Sequence, residues 1–134
     1  MEKIRIFLTD DNDEIRAALH RYLETQEDMV ISGEAANGVE ALQRLSECPT
    51  DVMILDMIMP QLDGFGVLEQ LQRIPLEQRP RVIALTALGR EDFIARALRF
   101  GVTYYMVKPV EMRQLMDRIR DTARQMEGIC EDPP

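Results

Sequence analysis

Two rhythms alternate along this chain. Short unbroken apolar runs suit strands covered on both faces. Between them, apolar residues recur every three or four positions, the spacing of an amphipathic helix. Ile4 to Thr9 (IRIFLT) opens the series as a strand, and Ile15, Ala18, Leu19, Tyr22 and Leu23 then mark one face of a helix between Asn12 and Gln26. MVISGEA predicts a second strand. Asn37, with Glu40 three residues on, predicts a capped helix whose apolar face is Ala41, Leu42 and Leu45. Val52 to Asp56 (VMILD) is a third strand ending in a carboxylate, and Pro60 with Asp63-Gly64 marks a loop. A helix through Val67, Leu68 and Leu71 stops near Pro75. Arg81 to Ala87 (RVIALTA) is the fourth strand, and Glu91 to Phe100 is a helix closed by Gly101 in the left-handed region. Thr103 to Val107 (TYYMV) is the fifth strand. The last helix carries Met112, Leu115, Ile119, Ala123 and Met126 in one stripe.

Five strands alternating with five helices predict parallel βα units with right-handed crossovers, an α/β doubly wound sheet. Such sheets bind ligands beyond the carboxyl ends of their strands, at the topological switch point. Residues 1–127 form one domain, and 128–134, acidic and ending in two prolines, are expected to be a linker or tail.

Charge narrows the partners. A net charge of −8 disfavours direct binding to nucleic acid or to anionic membranes. Cys48 and Cys130 form neither a metal spacing nor a disulfide framework. With no signal-peptide shape and no membrane-spanning apolar run, a cytoplasmic protein is expected.

The chemistry gathers at strand ends. The first strand ends at Asp10-Asp11, the third at Asp56, the fourth at Thr86 and the fifth at Lys108. Carboxylates sharing one cleft repel each other, and a hard divalent cation relieves that repulsion. Oxygen ligands without histidine or thiolate favour Mg²⁺, with Ca²⁺ or Mn²⁺ as substitutes. An aspartate can also attack phosphorus to give an aspartyl phosphate. The Lys108 ammonium and the Thr86 hydroxyl would then meet the charge on the transferred oxygens. The bland alternative is a structural salt-bridge cluster. Single members of the set carry little weight, and their joint placement on one edge carries much more. His20 reads as a solvated or partly packed residue. The methionines read as core filler, with Met112 and Met116 as a candidate partner surface. No GxxxxGK[ST] nucleotide loop occurs.

LTDDN, VMILDMIMPQLDG, VIALTA and YYMVKP together resemble the motifs of response-regulator receiver domains, from Ile4 to about Met126. The resemblance implies a flavodoxin-like fold with strand order 2-1-3-4-5. It implies Asp56 as phosphoacceptor, and Mg²⁺ held by Asp10, Asp11, Asp56 and the backbone carbonyl of Ile58. It implies Thr86, Ala87, Lys108 and Tyr105 as the phosphate-binding and switch set, and a cis Lys108–Pro109 bond. By strand alternation Tyr104 belongs on the face opposite Tyr105. The implied phosphodonor is a histidine kinase or a histidine phosphotransfer protein. A phosphorylation-linked homodimer is a further family expectation. MEKIRIFLTDDN, QEDM, NGVEAL, DMIMPQLDG and LTALGREDF are similar, more narrowly, to receivers of sporulation master regulators in spore-forming bacteria. That likeness implies control of a C-terminal DNA-binding effector domain, which is not part of this sequence. Ile58 and Leu88 stand where the family can carry polar groups that place a hydrolytic water. Both are apolar, so slow loss of the phosphoryl group is expected.

Two other functions compete with the switch. A receiver fold could serve as a phosphate-independent interaction module. A hydrolase could work through an aspartyl phosphate, as haloacid-dehalogenase-type phosphatases do. Those enzymes place a second carboxylate two residues after the nucleophile, where this chain has Ile58. The expectation is therefore a signalling domain that catalyses only its own phosphorylation and dephosphorylation, not an enzyme acting on external substrates.

Overall fold

The computed structural model describes residues 2–87 and 89–131, with the backbone alone for 127–131. Five strands, β1 (Ile4–Thr9), β2 (Met29–Ala35), β3 (Val52–Leu55), β4 (Arg81–Thr86) and β5 (Tyr104–Val107), form one parallel sheet in the order β2-β1-β3-β4-β5. Five helices connect or follow them: α1 (Asp13–Glu24), α2 (Gly38–Leu45), α3 (Gly64–Leu71), α4 (Glu91–Arg99) and α5 (Met112–Glu131). This is the flavodoxin-like arrangement the resemblance implied. β1 feeds β2 on one side and lies beside β3 on the other, so the switch point falls between β1 and β3.

The apolar runs explain the two-sided burial. Phe7, Met53, Leu55, Val82 and Ala84 face α2, α3 and α4, while Ile6, Leu8, Ile54, Ile83 and Leu85 face α1 and α5. Every residue of β3 is buried, as a central strand covered on both faces requires. Met116 is also buried, packed against the α1–α5 side of the sheet. It therefore cannot belong to a partner surface, because the stripe of α5 that carries it also faces the sheet.

Capping shapes the helix starts. Asn12, Asn37 and Asp63 each accept a backbone N–H three residues on, from Ile15, Glu40 and Gly66. Glu40 returns its own bond to the Ala36 N–H rather than to Asn37. Asp63-Gly64 is therefore a helix start, where punctuation alone suggested a loop. A single 3-10 turn over Leu76–Gln78 follows Pro75 and was not expected. Gly101 takes φ 94°, as its place after α4 requires. α5 runs on past Met126 to Glu131, and residues 132–134 lie outside the described residues. Among the described residues no helix is long and apolar enough to cross a membrane.

His20 on α1 is not simply solvated. Its Nδ1 is hydrogen-bonded to Glu34 of β2, and its Nε2 lies 3.3 Å from Glu24. The bond to Glu34 raises the imidazole pKa, burial opposes it, and the charges of Glu34 and Glu24 add to the rise. The folded state thus favours the protonated ring. This contribution is fully present below the ordinary value of 6.5 and is lost as pH rises through the higher folded value. The thermal midpoint of the wild type over His20→Gln is expected to be greatest in mild acid and to shrink above neutrality. A margin that widens with pH would contradict this.

Candidate functional site

β1 and β3, adjacent in the middle of the sheet, each end one residue before a carboxylate. The Asp10 N–H donates to the Ala35 carbonyl at 3.2 Å, and the Asp56 N–H donates to the Thr9 carbonyl at 3.0 Å. The sheet ladder thus continues one residue past β1 and β3. It sets Asp10 and Asp56 side by side at the switch point, 3% and 6% exposed. One oxygen of each is held locally. Asp10 Oδ1 accepts the Asn12 N–H at 2.9 Å, and Asp56 Oδ1 accepts the Ile58 N–H at 3.0 Å.

The other oxygens face a cation. Lys108 Nζ donates to Asp10 Oδ2 at 2.7 Å and to Asp56 Oδ2 at 3.3 Å. Its backbone N–H donates to the Thr86 carbonyl at 2.8 Å, which carries the β4–β5 ladder out to the lysine. The Lys108–Pro109 peptide is cis. Burial alone would lower the Lys108 pKa; the hydrogen bond to Asp10 and the charges of Asp56 and Asp10 outweigh it and raise the value.

Asp11 completes the set from the exposed side. Carboxylate oxygens of Asp10, Asp11 and Asp56 lie within 4.8 Å of one another. Three carboxylates against one ammonium leave two negative charges, the complement of one divalent cation. Oxygen donors alone, in a cleft open toward Asp11, fit a hard ion that keeps part of its water shell. Asp10, Asp11 and Asp56 would hold it directly or through water.

Thr86 and Tyr105 lie on the same face of the sheet. Tyr105 pairs with Ala84 in the ladder and packs, half-buried, into the cluster facing α3 and α4. Burial, and then the charge of Asp56, push its phenol above the usual tyrosine range. Tyr104 packs on the opposite face, as alternation predicts, and its hydroxyl bonds to Asp121. Thr86 is fully buried, and its hydroxyl has no hydrogen-bond partner among the described residues. A buried donor without a partner costs free energy unless a ligand supplies the acceptor. Thr86→Val is therefore expected to stabilise the unmodified protein by about 1 kcal/mol in denaturant titration. A loss of stability would show that the hydroxyl already has work in the resting fold.

Ala87 and Pro109 are exposed beside Thr86 and Lys108. Ile58, two residues past Asp56, is 50% exposed. Leu88 lies outside the described residues. Sequence reasoning passed over two features. The Thr9 hydroxyl, one residue before Asp10, is buried with no partner among the described residues. Gly64 donates its N–H to the Met57 carbonyl at 3.0 Å, and a Cβ there would lie 2.6 Å from Met57 Cα and 2.9 Å from the Asp56 carbonyl oxygen. Only glycine lets α3 approach the acceptor loop this closely. The Asp63-Gly64 pair was the available signal.

A family model described as the response regulator receiver domain matches residues 6–120. Among solved structures, the signal receiver domain of the response regulator NarL from Mycobacterium tuberculosis is 27% identical with a TM-score of 0.85, over 92% of this chain and 98% of that one. The response regulator domain of Thermotoga maritima CheB is 29% identical with a TM-score of 0.82, again over 92% and 98%. CheY in its complex with CheX, BeF3 and Mg²⁺ from Borrelia burgdorferi is 26% identical with a TM-score of 0.81, over 90% of this chain and 89% of that one.

Proposed function

This chain belongs to the response regulator receiver family, and from that premise we propose that it is a phosphorylation switch whose acceptor is Asp56. The observation that carries the reading is the Lys108 ammonium, which bridges Asp10 and Asp56 across 98 and 52 positions of sequence. A salt bridge needs one carboxylate. Two carboxylates on one ammonium, with Asp11 alongside, suit a site that awaits a divalent cation and a phosphoryl group.

A carboxylate oxygen of Asp56 attacks the phosphorus of a phosphohistidine on a histidine kinase or histidine phosphotransfer protein. A P–O bond forms, the P–N bond breaks, and the leaving imidazole takes up a proton. Asp10, Asp11, Asp56 and the Ile58 carbonyl would hold a Mg²⁺ ion, which would supply charge neutralisation at the transferring group. Lys108 meets another phosphoryl oxygen as a point charge. The Thr86 hydroxyl and the Ala87 N–H meet the remainder. Drawing Thr86 toward the phosphoryl group leaves space on the face it shares with Tyr105, and the ring fills it. That repacking biases the surface around α4, β5 and α5 between two arrangements.

With Ile58 beside the acceptor, the domain catalyses only its own modification and turns over no external phosphoester. The likeness of several sequence stretches to receivers of sporulation regulators supports a finer reading. In it, this switch controls a DNA-binding effector domain within a cytoplasmic phosphorelay. Incubation with Mg²⁺ and a small acyl phosphate, read by intact mass, tests the central claim. Folded protein that gains no phosphoryl adduct overturns it.

A further inference from the structure

Arg16 has no part in the acceptor set, yet its guanidinium reaches it. Nη1 donates to the backbone carbonyl of Asp10 at 2.6 Å. Nη2 donates to Asp13 Oδ1 at 2.8 Å, and Nε lies 3.2 Å from Glu34 Oε1. The side chain is only 19% exposed. Three anchors fix the planar fork and leave it little freedom.

Glu34 is aimed at this place by an irregularity of the sheet. β1 and β2 pair Ile6 with Ile31, then Phe7 with Gly33, so Ser32 is an extra residue on β2. Ile31 packs on the α1 side, and strict alternation would send Glu34 to the other side. The bulge reverses the phase, and Glu34 meets Arg16 and His20 of α1 instead. Its own carbonyl accepts Arg44 Nη1 at 2.7 Å, which ties the strand to α2.

The Asp10 carbonyl belongs to the peptide that joins Asp10 to Asp11, the two acidic residues contributed by one loop. Its neighbour, the Asp10 N–H, is held by Ala35. With both groups restrained, the directions in which the two carboxylates leave the backbone are set before any cation arrives. We propose that Arg16, braced by Glu34, is a positioning residue of the divalent-cation site. It acts through the Asp10 carbonyl and not by touching the ion. This rests on the proposed cation site and adds to it the group that orients it.

Charge and positioning predict opposite signs, which makes the proposal testable. A positive charge near the site repels Mg²⁺, so removing it for electrostatic reasons alone would tighten binding. Loss of orientation weakens binding, by about tenfold for comparable outer groups. Mg²⁺ binding is measured by calorimetry on the wild type, Arg16→Gln, Arg16→Lys and Arg120→Ala. Arg120 ties α5 to Asp28 at 2.8 Å, just before β2 at the amino-terminal end of the parallel sheet and so opposite the acceptor set, and controls for general destabilisation. The expected result is a dissociation constant about ten times weaker in Arg16→Gln, with Arg16→Lys between it and the wild type and Arg120→Ala within about twofold of the wild type. Unchanged or tighter binding in Arg16→Gln overturns the proposal, as does an equal loss in Arg120→Ala. Failure of the wild type to bind Mg²⁺ at all defeats the cation site itself, which is a separate result.

Discussion

Asp56→Asn is expected to gain no phosphoryl group from Mg²⁺ and an acyl phosphate, under conditions in which the wild type gains one. The amide that replaces the carboxylate has the same shape but lacks the nucleophilic oxygen. It also removes one of the two negative charges that the cation would balance. The fold is expected to survive, because an amide oxygen can still accept the Ile58 N–H that now bonds Asp56 Oδ1 at 3.0 Å. Lys108 keeps its shorter bond, to Asp10 at 2.7 Å. Intact mass reads the outcome. An adduct that persists in Asp56→Asn would move the acceptor elsewhere, and Asp10 and Asp11 would be the residues to replace next. The same experiment times the modification. The exposed apolar Ile58 offers no polar group to hold an attacking water, so the wild-type adduct is expected to outlast seconds. If signalling in cells is also unchanged in Asp56→Asn, the chain is a phosphate-independent interaction module.

Lys108→Ala is expected to have the largest effect on stability, and one that Mg²⁺ partly reverses. The side chains of Asp10, Asp56 and Lys108 are 4%, 8% and 17% exposed. Removing the ammonium leaves two buried carboxylates facing each other and Asp11. Breaking a buried pair from one side costs about 3 kcal/mol. Added Mg²⁺ binds the folded state and restores stability by mass action, more in the variant than in the wild type. Denaturant titration with and without Mg²⁺ measures both effects. A variant as stable as the wild type without divalent ions would mean the lysine is solvated and holds nothing. Because the folded Lys108 pKa lies above the ordinary 10.5, its contribution is complete at neutral pH and is lost only as pH climbs through the raised value. Self-phosphorylation should also slow, by roughly 10²-fold or more, since a fixed charge aimed at the transferring oxygens is gone.

How much of this was legible beforehand differs from residue to residue. Strand and helix alternation was legible because burial imposes its period on neighbouring positions. Ends were less so, by a residue or two. Asp56 and Ala87 read as the last residues of strands and lie just past them, although the Asp56 N–H still donates to Thr9 of β1. The start of α3 at Gly64 was read as a loop because Asp-Gly serves both turns and helix starts, and only Asp63 bonding to Gly66 distinguishes them. Met116 looked available to a partner because periodicity identifies an apolar face but not what covers it.

By itself the sequence determined the architecture, the edge of the sheet on which the carboxylates, the threonine and the lysine appear, and the family. Those depend on which residue stands next to which, and on the alternation of a strand. Only the tertiary structure decided that Lys108 bridges Asp10 and Asp56, that the Thr86 hydroxyl is buried with no partner among the described residues, and that a bulge at Ser32 turns Glu34 toward Arg16. Each of these joins groups far apart along the chain, or depends on a one-residue slip between strands. No local pattern records such contacts, because strand register and packing, not neighbouring side chains, set the distances.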